Sequence, residues 1–405
     1  MNIFDFMVNS ILILSLMSVI SGFFILQHVK KKSLNSRWHS LPAYYAWFAV
    51  LWMVVPALCL FFFSSVLHLL HLYDVGASFL IPSTILLTLW GTWRGLKQIN
   101  PELKARESVE KVIRVSLVLA ASISILTTIG IVLAIIFEAM QFFHIVSVWE
   151  FITGTHWAPD DATDGNTQGM FGSIPVFAGT FMITIIAMCV AVPIGILSAV
   201  YMSEYASEKV RNTAKPALEI LAGVPTVVYG FFAAITVSPL VVKFADAVGL
   251  HADYTNALTP GIVMGIMIIP FISSLSDDVI RAVPRSLRDA SLALGTTMSE
   301  TVVRIVLPAA LPGIIAACLL GISRALGETM IVVMAAGLRP NLTWNPLEGM
   351  TTVTVRIVDA LTGDQAFDSP ETLSAFGLGL VLLIITLMLN VLSIYVIRRF
   401  RSQYE

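Results

Sequence analysis

Charge is what this sequence has least of: 12% of its 405 residues are Asp, Glu, Lys or Arg, while 57% are hydrophobic. Ordinary soluble domains carry about twice that charge fraction, so a soluble globular chain is excluded. Cysteine is almost missing as well. Cys59, Cys189 and Cys318 lie far apart inside apolar runs, which rules out a disulfide framework and fits thiols packed at helix contacts. No Gly-Lys pair occurs anywhere, so the chain lacks the phosphate-cradling loop G-x-x-x-x-G-K-[ST] and holds no P-loop of its own for ATP. A formal net charge of −2 favours neither nucleic acid nor an acidic partner. Without G-x-S-x-G or a His-rich metal set, nothing points to an intramembrane enzyme, and no cofactor is expected.

Long apolar runs fill the space that charge leaves. A span needs about 20 predominantly apolar residues, and nine can be drawn, at roughly 8–28, 44–66, 75–93, 115–137, 173–202, 219–242, 258–280, 307–337 and 372–397. The expected fold is all-α, a polytopic transmembrane helical bundle. Threaded through alternating spans, twenty Lys and Arg residues fall on one side and three, Lys243, Arg339 and Arg356, on the other, with Arg324 inside a span. The side rich in Lys and Arg is cytoplasmic, which predicts an outside N-terminus and a cytoplasmic C-terminus. "MNIFDFMVNS" has no basic n-region, so the first run is expected to be a retained span rather than a cleaved signal.

Two outer loops are expected near 138–172 and 338–371. "DDATDG" in the first breaks calcium-loop spacing at Ala162 and is taken as a polar turn. Trp149, Trp157 and Trp344 fall near membrane edges, as aromatic belts do. His68 and His71 in "HLLH" are expected as an interfacial pair. Gly261 and Gly265 form a small-xxx-small pair for close helix packing.

The inner segment 281–308 reads "RAVPRSLRDASLALGTTMSETVVRIVLP". Pro284 suits a helix start, where its missing amide hydrogen costs nothing. Leu287, Ala290, Ser291 and Leu294 then recur at helical spacing, and Gly295 supplies a stop in the left-handed region. This segment resembles the EAA loop of ATP-binding-cassette (ABC) importer permeases, EAA-x3-G-x9-I-x-LP. Asp289, Ala290 and Ser291 stand for the triplet, followed in register by Gly295, Ile305, Leu307 and Pro308. Asp for Glu and Ser for Ala are the departures. In that family the short helix docks into a groove of a separate ATPase, so ATP hydrolysis is implied for a partner and not for this chain.

A second stretch, "SRALGETM" at 323–330, sets Arg324 and Glu328 inside an apolar run. An intramembrane charge costs at least about 2.5–3.5 kcal/mol on insertion scales. Spaced four apart, the two are expected to share one helix face, pair, and line the path of an anion. Arg suits that task because its planar fork of donors matches an oxyanion. The alternative is a structural bridge between helices. "SRALGETMIVVMAAG", with "LAGVPTVVYG" at 221–230, resembles the phosphate-specific, PstC-type permeases. The resemblance implies a type I importer core of six spans over 115–405, preceded by a three-span extension over 1–114. It further implies a bacterial inner-membrane location. Four partners follow: a PstA-type sister permease, a PstB-type ATPase, an external PstS-type phosphate-binding protein and membrane lipid. Molybdate or sulfate permeases share the EAA loop and stay open as an alternative. A self-sufficient secondary transporter would show inverted repeats, and none is evident.

Overall fold

The computed structural model describes residues 21–27, 29–31, 38–69, 77–159, 168–363, 366 and 369–401. Most of the first expected span, together with His71 and the "DDATDG" turn, lies outside these residues. The chain divides into two compact units, Met1–Ile129 and Gly130–Glu405.

In the first unit, α1 (Pro42–Leu69) packs against α2 (Ala77–Gln98), and the unit also holds the start of α3 (Ala105–Ile145). Contact between α1 and α2 is close because Gly91 and Gly95 face α1. A Cβ on Gly91 would lie 2.0 Å from the carbonyl oxygen of Trp52. Tyr45, fully buried, donates its hydroxyl to the Leu103 carbonyl at 3.0 Å and so ties the start of α1 to the turn that opens α3.

The second unit is built around two long helices, α5 (Ile174–Val200) and α9 (Leu258–Ala282). Ile183, Ala187 and Ala191 meet Met264, Met267, Ile268 and Ile272 in its main apolar core. The expected close packing at Gly261 and Gly265 is present, and its partner is α5. Added Cβ atoms would come 2.6 Å from Ile186 Cγ2 and 2.8 Å from the Ala187 carbonyl. A second cluster gathers Phe142, Phe151, Trp157 and Phe171. Trp157 is therefore a core residue, 4% exposed, and not part of an interfacial belt, whereas Trp149 and Trp344 are 75% and 93% exposed. The bridge between Trp157 and Phe171 turns the indole inward.

Seven helices among the described residues are long and apolar enough to cross a membrane: Pro42–Ser64, Ala105–Ile145, Ile174–Tyr205, Thr226–Ala247, Leu258–Ala282, Met298–Leu326 and Pro370–Val396. Two expected spans are interrupted. The stretch 219–242 divides at Gly223-Val224-Pro225 into an amphipathic helix α6 (Glu208–Ala222) and α7 (Thr226–Phe232). Proline pushes the preceding residue out of the helical region and brings no amide hydrogen, so the helix stops there. The stretch 307–337 also divides. Three π turns, Tyr201–Tyr205, Ala233–Val237 and Val302–Val306, interrupt otherwise α-helical columns, a feature concentrated at functional sites in helical proteins.

Candidate functional site

Arg324 and Glu328 sit at a helix break. α12 (Leu307–Leu326) ends at Gly327, and a short helix α13 (Met330–Ala335) begins three residues later. Arg324 and Glu328 therefore do not share one helix face, and they form no ion pair, which corrects the sequence expectation. Each charge has its own support. Glu328 Oε1 accepts the amides of Met330 at 3.2 Å and Ile331 at 3.5 Å, groups that a helix start leaves without intrahelical partners. Arg324, in the last turn of α12, sits where carbonyl ends favour a cation, with its Cζ 5.5 Å from the ring centroid of Phe271 on α9. Among the described residues no carboxylate or carbonyl engages the guanidinium, so its donor fork is open. Broken helices of this sort are where transporters place substrate and ion sites.

Three neighbouring segments fix the break. Gly230 on α7 packs against α13, since a Cβ there would meet the Met330 carbonyl and the Met334 sulfur, each at 2.9 Å. "LAGVPTVVYG" and "SRALGETM", far apart in sequence, are thus in contact. The run Thr351–Thr354 spans the start of α14 (Val353–Thr362). Thr354 donates its hydroxyl to the Glu328 carbonyl at 2.7 Å, and the Val353 amide donates to Thr180 Oγ1 at 3.0 Å. Ser323 donates to Asn390 Oδ1 at 3.3 Å, joining α12 to α15 (Pro370–Arg401). Sequence reading missed this hydroxyl support. Its signal is four residues, "TTVT", with three threonines at the start of a helix.

The second region is the loop at 281–308. Arg285–Ala293 forms the expected short helix, α10, which begins at Pro284 and ends in a left-handed Gly295 at φ +85°. The Gly295 amide donates to the Leu292 carbonyl at 2.9 Å and the Thr296 amide to Ser291 at 3.4 Å, the pair of bonds of a Schellman stop. Ser291, 2% exposed, turns inward, and its hydroxyl lies 2.7 Å from Thr296 Oγ1 and 2.9 Å from Thr301 Oγ1. Of the four residues at helical spacing, Ser291 is therefore turned away from the surface, while Leu287, Ala290 and Leu294 are exposed. Asp289, Ala290, Leu294 and Gly295 are exposed, while Ser291 holds the loop to itself. Ile305 and Leu307 are half-buried, and Pro308, exposed, opens α12.

Ion pairs anchor this loop. Arg288 donates to Glu204 at 2.7 Å and to the Ile280 carbonyl at 2.8 Å. Asp277, fully buried near the end of α9, accepts from Arg211 at 2.8 Å and Lys215 at 3.2 Å, both on α6. Lys215 also reaches Asp278 at 2.8 Å. That bond, ahead of burial, which acts the other way, raises the Lys215 pKa above its ordinary value. Sequence reading passed over this set, although two adjacent aspartates at the end of an apolar run were a visible signal.

A family model described as a binding-protein-dependent transport system inner membrane component matches residues 191–402, and one described as a phosphate ATP-binding cassette transporter matches residues 8–75. A probable ABC transporter permease protein, YqgH, of Bacillus subtilis (strain 168) is 32% identical over 285 residues, covering 70% of this chain and 87% of that protein. The phosphate transport system permease protein PstC 1 of Mycobacterium tuberculosis is 32% identical over 277 residues, covering 62% of this chain and 81% of that one. A crystallised bacterial alginate ABC transporter in complex with its pentasaccharide-bound periplasmic protein shares the fold, at a TM-score of 0.50 and 15% identity, over 72% of this chain and 96% of that one. The chain belongs to the inner-membrane permease components of binding-protein-dependent ABC importers, and among them to the PstC-type permeases.

Proposed function

We propose that this chain forms the membrane pathway for inorganic phosphate together with a PstA-type sister permease, receives phosphate from an external PstS-type binding protein, and is driven by a PstB-type ATPase. The observation that carries this reading is the open guanidinium fork of Arg324 at a helix break beside Glu328. Glu328 Oε1 is taken by two amides, and its second oxygen has no partner among the described residues. A free carboxylate acceptor beside a cation suits an oxyanion that still carries a proton to donate. Phosphate does so at neutral pH, whereas sulfate and molybdate do not, and sites built around such a donor reject analogues that lack it. The test is ATP-dependent uptake of labelled phosphate by the complex in proteoliposomes. Unlabelled phosphate and arsenate should compete, and sulfate and molybdate should not. Equal competition by sulfate would transfer the assignment to the alternative oxyanion permeases.

The reading also assigns the membrane sides: N-terminus outside, C-terminus cytoplasmic, with residues 1–114 a three-span extension ahead of a six-span core. It puts α10 against the ATPase through Asp289, Ala290 and Gly295, with Ser291 setting the shape of the turn. In the complex, a cysteine at Ala290 should cross-link to the ATPase, and one at Ser291 should not. Gly295→Val should lower uptake with the protein still in the membrane. A Cβ at Gly295 meets nothing within 4 Å, so the damage comes from forcing a β-branched residue to positive φ and not from a clash. Failure of Ala290 to cross-link, with normal uptake by Gly295→Val, would remove α10 from the coupling role and the cytoplasmic side from its assignment.

A further inference from the structure

The first unit carries a groove of about 440 Å³ that holds none of the residues assigned to the transport pathway, lined by α1, the end of α2 and the start of α3. Its wall on α1 is a single stripe, Phe48, Leu51, Trp52, Val55 and Pro56, which runs along about 12 Å of helix at 1.5 Å per residue. Its other end is polar, formed by Gln98, Ser108 and Lys111. The apolar part of α3 begins just beyond, since residues 115–137 contain no charged side chain. Lys111 therefore lies at headgroup level and the α1 stripe reaches toward the hydrocarbon.

The charges at this end are unevenly matched. Lys104 pairs with Glu107 at 3.3 Å and Arg106 with Glu110 at 2.6 Å. Lys111, on the groove, has no carboxylate partner among the described residues. Neither has Arg94, whose Cζ lies 5.4 Å from the ring centroids of both Trp52 and Trp90, one helical turn from Gln98. No acidic side chain lines the groove. We propose that this groove is a binding site for an anionic phospholipid, with an acyl chain along the Phe48–Pro56 stripe and the headgroup phosphate at Lys111, supported by Arg94, Gln98 and Ser108. The apolar stripe alone would accept any lipid tail. The uncompensated cations at its polar end are what select a negative headgroup.

Trp52 in the wall makes the site readable. The full-length chain is reconstituted in phosphatidylcholine vesicles containing rising fractions of brominated phosphatidylglycerol or brominated phosphatidylcholine. The Trp52 emission is taken by difference from Trp52→Phe. Each basic residue near the surface favours an anionic lipid by about 1 kcal/mol, so half-quenching by the anionic lipid should occur at an approximately fivefold lower mole fraction. Lys111→Gln should erase that preference and Lys111→Arg should keep it. Equal quenching by both lipids would mark an ordinary lipid-facing groove and overturn the proposal. So would an unchanged preference in Lys111→Gln, absence of quenching by either lipid, or reversal of quenching by inorganic phosphate, which would make this a site for the free ion.

Discussion

Arg324→Gln should abolish phosphate uptake and leave the protein folded; this is the largest functional effect expected of any single change. The residue is exposed within its own chain, with its Cζ over the Phe271 ring, so losing the charge removes little packing. What disappears is the fork of donors proposed to meet the anion. Truncating a charge that is hydrogen-bonded to a bound partner costs about 2–5 kcal/mol, equivalent to a drop of roughly thirtyfold or more. Arg324→Lys retains the charge but not the planar geometry and should rescue poorly. Because Glu328 serves α13 and not Arg324, exchanging the two charges should restore nothing. Glu328→Gln keeps the acceptor oxygen for the Met330 amide and should fold normally, with weakened discrimination of phosphate from sulfate. Uptake measured beside thermal unfolding of the purified complex separates these outcomes. Full uptake by the charge-swapped variant would show that the two form a structural clamp in the working transporter.

Asp277→Ala should give the largest loss of stability. Its carboxylate is completely buried and accepts from Arg211 and Lys215, so its removal strands the Arg211 guanidinium and leaves Lys215 with Asp278 alone. Breaking a buried pair by deleting one partner costs about 3–5 kcal/mol. The thermal midpoint of the detergent-purified protein should fall sharply, and less protein should reach the membrane. The cause can be separated from mere cavity formation. Adding Arg211→Gln to Asp277→Ala removes the uncompensated charge while the cavity stays, and should recover part of the loss. If Asp277→Ala alone unfolds at the wild-type temperature, α6 is not held to α9 by this group.

The membrane-spanning character of the chain is legible because apolar runs long enough to span have no other common explanation. The same holds for α10, where Pro284 and Gly295 bracket the helix and only glycine tolerates the φ that its stop requires. The break at Gly327 is a different matter. A glycine inside an apolar helix is common, and the sequence alone cannot show that Glu328 will take the amides of the next helix and leave the fork of Arg324 open. Ser291 shows the same limit. Its helical spacing groups it with Ala290, but the two hydroxyls it meets, Thr296 and Thr301, come from a turn whose path is fixed only after Gly295 reverses the chain. Trp157 was placed at an interface by residue type, and the aromatic cluster that buries it is assembled from α3, α4 (Val148–Thr153) and the bridge to Phe171. In each case the type of residue was informative and its direction was set by a distant segment.

The π turn at Val302–Val306 joins the loop that carries α10 to the column whose last turn holds Arg324. Such a turn holds about one residue more than the α turn it replaces, so the segments on its two sides are out of phase by about 100°. From Pro308 to Arg324 the column rises through sixteen residue steps, or about 24 Å at the α-helical rise. Loop and charge are therefore fixed to one shaft with a slack joint at its base. A residue removed within the joint can be absorbed by its return to α geometry. The same deletion made anywhere along the shaft would swing the guanidinium away from Phe271 by more than a quarter turn. Length between these two landmarks is thus under tighter constraint than the identity of the apolar residues that fill it.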